Sequence, residues 1–469
     1  MKYYYFLLPI AFLTLFLNVV NAQINIIPAE PHPNLAEVYG GSFASGDIDN
    51  DGDRDLLLTG ISPTTALYLN DGSGSFTDVT LDTNLPKRSS ASVTEFIDLD
   101  NDGALDLYFS GHNDGEGIGE FTRIYLNDGA GNFSLTSNTD LPQFRGGGAA
   151  FSDIDNDGDY DLFISALDRN NQFHASTYLN DGNAHFTPSQ TGTFSLVKWA
   201  AIAFIDIEND NDMDLIVSGR QPNDSPLTKL YINDGTGYYI LDNVNDFENL
   251  ASGMIDVADT DNDGDQDILI SGEDANFVNK THLYLNDGSG NFQALQNSNL
   301  QPTLFGNQAI ADLDLDGDQD ILIVNHTGSI VYENAGNNEF NPTSTLLGDY
   351  IGDCLIADFN NDDYPEIITQ GIINDISFYW NNSGVLSNLD LDHESSECIL
   401  WPNPVVEHLN VRLNVNLANP NFTILDLTGK KIMHGTLENQ DTTLDLSGLS
   451  HGLYFVKIDS LDPLSVLKS

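Results

Sequence analysis

The stretch Asp47-Ile48-Asp49-Asn50-Asp51-Gly52-Asp53-Arg54-Asp55 decides the fold, because the chain repeats its pattern. The phrase Asp-x-Asp-x-Asp-Gly-x-x-Asp begins again at Asp98, Asp153, Asp206, Asp259, Asp312 and, in degenerate form, Asp358, at intervals of 51, 55, 53, 53, 53 and 46 residues. Self-similarity at a fixed period marks a repeat architecture. Apolar runs flank each copy, Ala201-Ile202-Ala203-Phe204-Ile205 before one and Leu56-Leu57-Leu58 after another, so the acidic turn joins two strands.

A second phrase follows each turn in step: Tyr68-Leu69-Asn70-Asp71-Gly72, Tyr125-Leu126-Asn127-Asp128-Gly129, and its kin at Tyr178, Tyr231 and Tyr284, fading at Tyr332 and Tyr379. Asn-Asp-Gly after an aromatic-aliphatic run signals a hairpin. Phe76, Phe133 or Phe292 opens the strand beyond it. Four strands per period, seven times, predict an all-β chain with a seven-bladed β-propeller over residues 23–390. Two ring closures fit: Ile24 to Ile27 as the outer strand of blade seven, or Val385 to Leu391 in that place.

Oxygen ligands at alternate positions, with glycine at the sixth for a sharp turn, suit a hard cation of calcium size better than magnesium. Carboxylates packed this closely repel one another unless a cation sits among them. The units resemble FG-GAP or VCBS-type repeats, the family that forms the propeller of integrin α chains, over about residues 36–386. The Phe-Gly opening of that family is kept as Phe305-Gly306 and as Tyr39-Gly40. The resemblance implies up to seven Ca²⁺, each held by the side chains at positions one, three, five and nine and by the position-seven carbonyl.

Carried over in this way, blade one uses Asp47, Asp49, Asp51 and Asp55 with the Asp53 carbonyl, and blade two Asp98, Asp100, Asp102 and Asp106 with that of Ala104. Blade three uses Asp153, Asp155, Asp157 and Asp161 with Asp159; blade five, Asp259, Asp261, Asp263 and Asp267 with Asp265; blade six, Asp312, Asp314, Asp316 and Asp320 with Asp318. Two blades depart from the pattern. Blade four has Asp206, Glu208, Asp210 and Asp214 with Asp212, and Asn211 in the glycine place. Blade seven has Asp358, Asn360, Asp362 and Glu366 with Tyr364, and Asp363 in the glycine place.

After a linker at 391–400, alternating runs such as Leu409-Asn410-Val411 and Leu453-Tyr454-Phe455-Val456 predict a small immunoglobulin-like β-sandwich. Its order of phrases from Trp401-Pro402-Asn403-Pro404 onward resembles the type A sorting domain of the type IX secretion system of Bacteroidota, over residues 401–469. That resemblance implies the secretion machinery as partner, a Gram-negative host, and a mature protein released or held at the outer-membrane surface. At the other end, Lys2, an apolar run and Val20-Asn21-Ala22 read as a cleaved signal peptide over residues 1–22; the run falls short of the roughly 20 residues a membrane span needs.

With 71 acidic against 16 basic residues and a net charge of −55, the chain lacks the basic footprint of a nucleic-acid binder. A 40% hydrophobic content sets it apart from disordered acidic chains. The only cysteines, Cys354 and Cys398, either pair or leave Cys354 as a small buried residue. The functional expectation is a binding or adhesion module for a glycan or protein ligand; a polysaccharide lyase or esterase and a purely structural surface protein are the alternatives.

Topology places both turn motifs on one rim. Of the ten Lys and Arg in the propeller, Arg54 alone lies in an acidic turn; Lys87, Arg88, Arg123, Arg145, Arg169, Lys198, Arg220, Lys229 and Lys280 fall in or beside the opposite loops. Either cations are merely kept from the acidic turns, or Arg145, Arg169 and Arg220, with Trp199 and nearby His112, Phe173, His174 and Phe277, form a recognition face for an acidic glycan.

Overall fold

In the computed structural model every acidic phrase falls between two antiparallel strands. The structure describes residues 24–383 and 398–468, apart from 30–32, 39, 61–64, 81–84, 87–89, 114–118, 138–140, 190–191, 297, 304–306, 326–327, 337, 348–349, 372–375, 402–404, 406–407, 414–419, 427–429, 438–440, 450–451 and 459–463. The expected leader, Tyr39, Phe305-Gly306, Lys87, Arg88 and residues 385–391 lie outside the described residues.

Seven four-stranded sheets follow in order. Blade one is Phe43–Gly46, Asp55–Leu58, Ala66–Asn70 and Phe76–Asp78, each strand pairing with the next. The first strands of successive blades neighbour one another around a closed ring. Blade seven takes its outer strand from the N-terminal side: Ile26–Pro28 pairs antiparallel with Ile376–Asn381, Ile26 opposite Asn381. Of the two closures the sequence allows, this is the one formed. Seen from the chain, the first-to-second and third-to-fourth turns share a rim, and the second-to-third loops lie on the other.

The core is a circle of seven clusters between adjacent blades. Side chains of a strand alternate in direction, so Leu56 and Leu58 pack with Ile368 and Phe378 of blade seven, while Leu57 packs with Leu107 and Phe109 of blade two. The same alternation recurs at every junction, including Leu322 and Val331 against Ile367 and Tyr379 between blades six and seven. Both sheet faces are therefore covered, which is why second strands read as unbroken apolar runs. The motif tyrosines tether the linkers: Tyr68, Tyr231, Tyr284 and Tyr332 hydroxyls accept the N–H groups of Ala36, Ser195, Glu248 and Gln301 at 2.6 to 3.1 Å.

Cys354 carries a free thiol and packs beside Ile356 and the cluster of blades six and seven. A second compact unit, Val385–Ser469, holds a three-stranded sheet (Cys398–Trp401, His408–Leu413, Asp441–Asp445) and a four-stranded one (Lys431–Thr436, Asn421–Asp426, Gly452–Ile458, Leu464–Lys468). Leu409, Val411, Phe422, Ile424 and Val456 share its core. No helix of the described residues is long and apolar enough to cross a membrane.

Candidate cation loops and ligand rim

The acidic turn is held by its own backbone before any ion is considered. In blade one, Asp47 accepts the N–H groups of Asp51 (3.1 Å) and Gly52 (3.0 Å), and Asp51 accepts that of Asp53 at 3.0 Å. Position nine is buried: Asp55 is 0% exposed and accepts Ile48 N–H at 2.9 Å and Asn70 N–H at 2.8 Å. Burial pushes its carboxyl up to about 7. Glycine at position six has φ of 99° in Gly52, and Asn211 and Asp363 adopt 69° and 73°, so the departures keep the left-handed turn.

Position three is the recurring exception, and in blade two the position-one oxygen Asp98 Oδ1 shares it. Asp49 Oδ1 is buried without a hydrogen-bond partner, and so are oxygens of Asp100, Asp155, Asp261 and Asp314. In the same five blades three carboxylates bring oxygens within 4.8 Å of one another: Asp47, Asp49 and Asp55; Asp98, Asp100 and Asp106; Asp153, Asp155 and Asp161; Asp259, Asp261 and Asp263; Asp312, Asp314 and Asp316. Burial first, then repulsion from position five, raises all five position-three carboxyls, Asp314 to about 7. An unpartnered buried carboxylate is costly, and a hard cation at the focus of these oxygens relieves both causes. The donor set therefore fits a divalent metal in these five loops.

Blades four and seven depart from this arrangement. Glu208 is exposed and its charge, after burial, helps raise the Asp214 carboxyl, whereas in blade seven Asn360 Nδ2 donates to Glu366 Oε1 at 3.0 Å. The position-seven side chain looks elsewhere in every blade that has one free to bond. Asp159, Asp212, Asp265, Asp318 and Asp53 accept the position-four asparagine of the preceding blade, Asn101, Asn156, Asn209, Asn262 and Asn361, at 2.5 to 2.7 Å. Ala104 has no side-chain oxygen, and Asn50 bonds the Gly129 carbonyl instead, at 3.2 Å.

The asparagine of the hairpin phrase has a role beyond its turn. Asn127 Nδ2 donates to the Ile48 carbonyl of the preceding blade at 2.7 Å, and Asn70, Asn180, Asn233, Asn286, Asn334 and Asn381 repeat the bond at 2.7 to 3.0 Å. Each bond ends on position two of an acidic loop, so the two motifs are stitched together around the whole ring. The hairpin glycine lies over position seven: a Cβ on Gly72 would come within 2.5 Å of Asp53 Oδ1.

On the other rim the cations are distributed differently from the expected recognition face. Arg220 is only 6% exposed; its guanidinium pairs with Glu273, donates to the Asp224 carbonyl at 2.6 Å and lies 5.5 Å over the Phe277 ring. It braces two loops and is no free grip, because Glu273 and Asp224 already take its donors. Lys198 Nζ sits 2.8 Å from the Asp224 carboxylate and 4.6 Å from the Trp199 ring. Trp199 is 51% exposed and Phe277 73%, at φ of 51° and 60°. Arg169 is exposed at a loop tip, whereas Arg145 pairs its backbone with Leu167 and its side chain lies outside the described residues. His112 faces Glu120 at 3.8 Å, His174 faces Asp168 at 3.4 Å, and Phe173 is half-buried.

A family model described as FG-GAP-like repeat matches residues 47–109, 98–164, 153–217 and 312–369, and one described as secretion system C-terminal sorting domain matches 399–468. The chain carries FG-GAP-like repeats and a type IX sorting domain. No curated protein sequence matches it significantly. Among solved structures, a lectin from Agrocybe aegerita that recognises non-reducing terminal N-acetylglucosamine is 18% identical, covering 66% of this chain and 80% of that one at a TM-score of 0.49. An Aleuria aurantia lectin mutant with α-methyl-L-fucoside is 8% identical (67% and 97%, TM-score 0.40). PorZ, a surface component of the type IX secretion system of Porphyromonas gingivalis, is 12% identical (91% and 65%, TM-score 0.35). The position-two and position-four contacts of the FG-GAP-like repeats were not anticipated, although the asparagine recurring at position four was visible in the sequence.

Proposed function

We propose that this protein is an exported, calcium-stabilised binding module that holds a glycan on the rim opposite its acidic loops. The observation that carries the reading is Trp199. A bulky residue at positive φ is a strained outlier, and here it presents a half-exposed indole on the same rim as a second exposed ring, Phe277, each backed by a cation. Nothing in the core requires such a ring, and aromatic faces stack on sugars.

Calcium serves stability in this account. Five ions would occupy the loops of blades one, two, three, five and six, where three carboxylates converge. At about 1 mM calcium a site with a Kd of about 10⁻⁴ M adds roughly 1.4 kcal/mol, so five add on the order of 7 kcal/mol. The sorting domain supports export through the type IX machinery of a Bacteroidota cell, with residues 401–469 then removed; the intact mass of protein recovered outside the cell checks that cut. The binding reading is tested on a glycan array with the calcium-loaded protein. Binding lost in Trp199→Ala supports it, and an array silent for the wild-type protein refutes it.

A further inference from the structure

We infer that the ligand face selects an uncharged glycan. The inference rests on the binding reading above and adds the chemical class of the ligand. It starts from where the charges of this rim already go. Arg220 is consumed by Glu273 and the Asp224 carbonyl, Lys198 by the Asp224 carboxylate, and Lys280 approaches Glu248 at 3.9 Å. The cations nearest the two exposed rings are thus neutralised by carboxylates of the same rim.

The side chain of Asp224 is 69% exposed, so a carboxylate or sulfate approaching Lys198 would meet an anion before it met a free ammonium. Displacing Asp224 would exchange one anion for another with no net gain in charge pairing. The field of the whole chain points the same way: a net charge of −55, or −45 with five divalent ions bound, repels anions within a Debye length of about 8 Å.

What the rim does offer is aromatic surface. Trp199 lies against Lys198 and Phe277 against Arg220, and the contacts form one connected path, Trp199 to Lys198 to Asp224 to Arg220 to Phe277. Each ring has one face engaged by a cation and is more than half exposed. A neutral sugar can lay its C–H face on the free side of such a ring without bringing charge. The cations then act as positioning residues that fix the rings, and their pairing with Asp224 and Glu273 keeps them there.

The experiment is affinity electrophoresis of the calcium-loaded full chain through gels containing neutral polysaccharides (a β-glucan, a mannan, a xylan, a galactan) or acidic ones (alginate, polygalacturonate, chondroitin sulfate). We expect retardation by at least one neutral polymer and by none of the acidic ones, unchanged within about twofold in 0.5 M NaCl, where electrostatic binding would be screened. Trp199→Ala should weaken it by about tenfold or more, Trp199→Phe should restore part of it, and Arg169→Glu should leave it within threefold. Calcium-dependent melting of each variant confirms that it is folded. Retardation by an acidic polymer that fades with salt and survives in Trp199→Ala overturns the uncharged class while leaving a glycan binder. Absence of retardation in every gel overturns both.

Discussion

Blades three and four carry the same number of acids in their turns and solve them differently. Asp153, Asp155, Asp157, Asp159 and Asp161 leave Asp155 with a buried oxygen that nothing bonds; in Asp206, Glu208, Asp210, Asp212 and Asp214 the longer Glu208 side chain is exposed, and among the described residues no three carboxylates of that loop meet within 4.8 Å. At position three the two loops differ by one methylene, and at position six Asn211 stands for glycine. The buried, clustered carboxylates of blade three are the ones a cation would relieve, so the number of acids alone does not decide the matter. Blade seven closes on itself, with an amide that donates to its position-nine carboxylate.

The largest expected effect tests whether ions fill the first kind of loop at all. Chelation should lower the melting temperature on the order of ten degrees, since the five sites together contribute roughly 7 kcal/mol. Native mass spectrometry of the calcium-loaded protein should count five tightly held ions. An unchanged melt rules out structural calcium, and a count of seven erases the distinction between the two kinds of loop.

Next in size is the stitch that both kinds share. Asn180→Ala removes the amide that donates to the Leu99 and Tyr160 carbonyls, two bonds worth about 1–3 kcal/mol together, while Leu99 keeps the Ala184 N–H. The loss should be equal with calcium and with chelator, because the bond ties backbone to backbone across blades whatever the loop contains. A loss confined to the calcium-loaded form would mean that the asparagine acts through the ion.

A reciprocal swap sharpens the comparison itself. Glu208→Asp draws an exposed carboxylate back to the half-buried place that Asp155 holds in blade three and should add a sixth ion, while Asp155→Glu should carry its carboxylate out of the cluster with Asp153 and Asp161 and leave four. Each change is worth roughly 1.4 kcal/mol at about 1 mM calcium. Isothermal titration reads the counts directly; five ions in both variants would break the account of position three.

Much of this was legible in the chain. The period, the two motifs in step, the blade number and the departures of blades four and seven all follow from residue types that recur at fixed spacing, since each blade is a local unit of four strands. The contacts between blades were not legible, because Asn127 and Ile48 stand 79 residues apart and meet only when the ring forms. The substitutions hinted at them: Ala104 stands where Asp would bond Asn50, and Leu315 replaces asparagine opposite the blade whose position seven is Tyr364. Arg220 misled for a related reason. Its charge is visible in sequence, but Glu273, which pairs with it, lies one blade further on.

The most local effect concerns an unpartnered carboxylate oxygen that should not call for calcium. Asp256, on the first strand of blade five, has Oδ2 buried without a partner, like the position-three residues. It differs from them in its surroundings: among the described residues no cluster of three carboxylates includes it, and its neighbours are the Gln308 amide and Asp353. Burial, with Asp353 adding to it against the Gln308 hydrogen bond, pushes its carboxyl up to about 7 from 3.8. A folded value above the unfolded one stabilises the fold while the group is protonated. The contribution is complete below about pH 4 and is lost as pH rises through 7. Asp256→Asn removes this dependence, so at about 1 mM calcium the variant should match wild type at pH 4 and exceed it by up to about 4 kcal/mol at pH 8. Protonation of the acidic loops at low pH is common to both proteins and cancels in the difference. Melting curves that stay parallel from pH 4 to 8 would show that Asp256 does not titrate in this range, and a variant that loses a calcium ion would show that position three is not the only place where an orphaned oxygen recruits one.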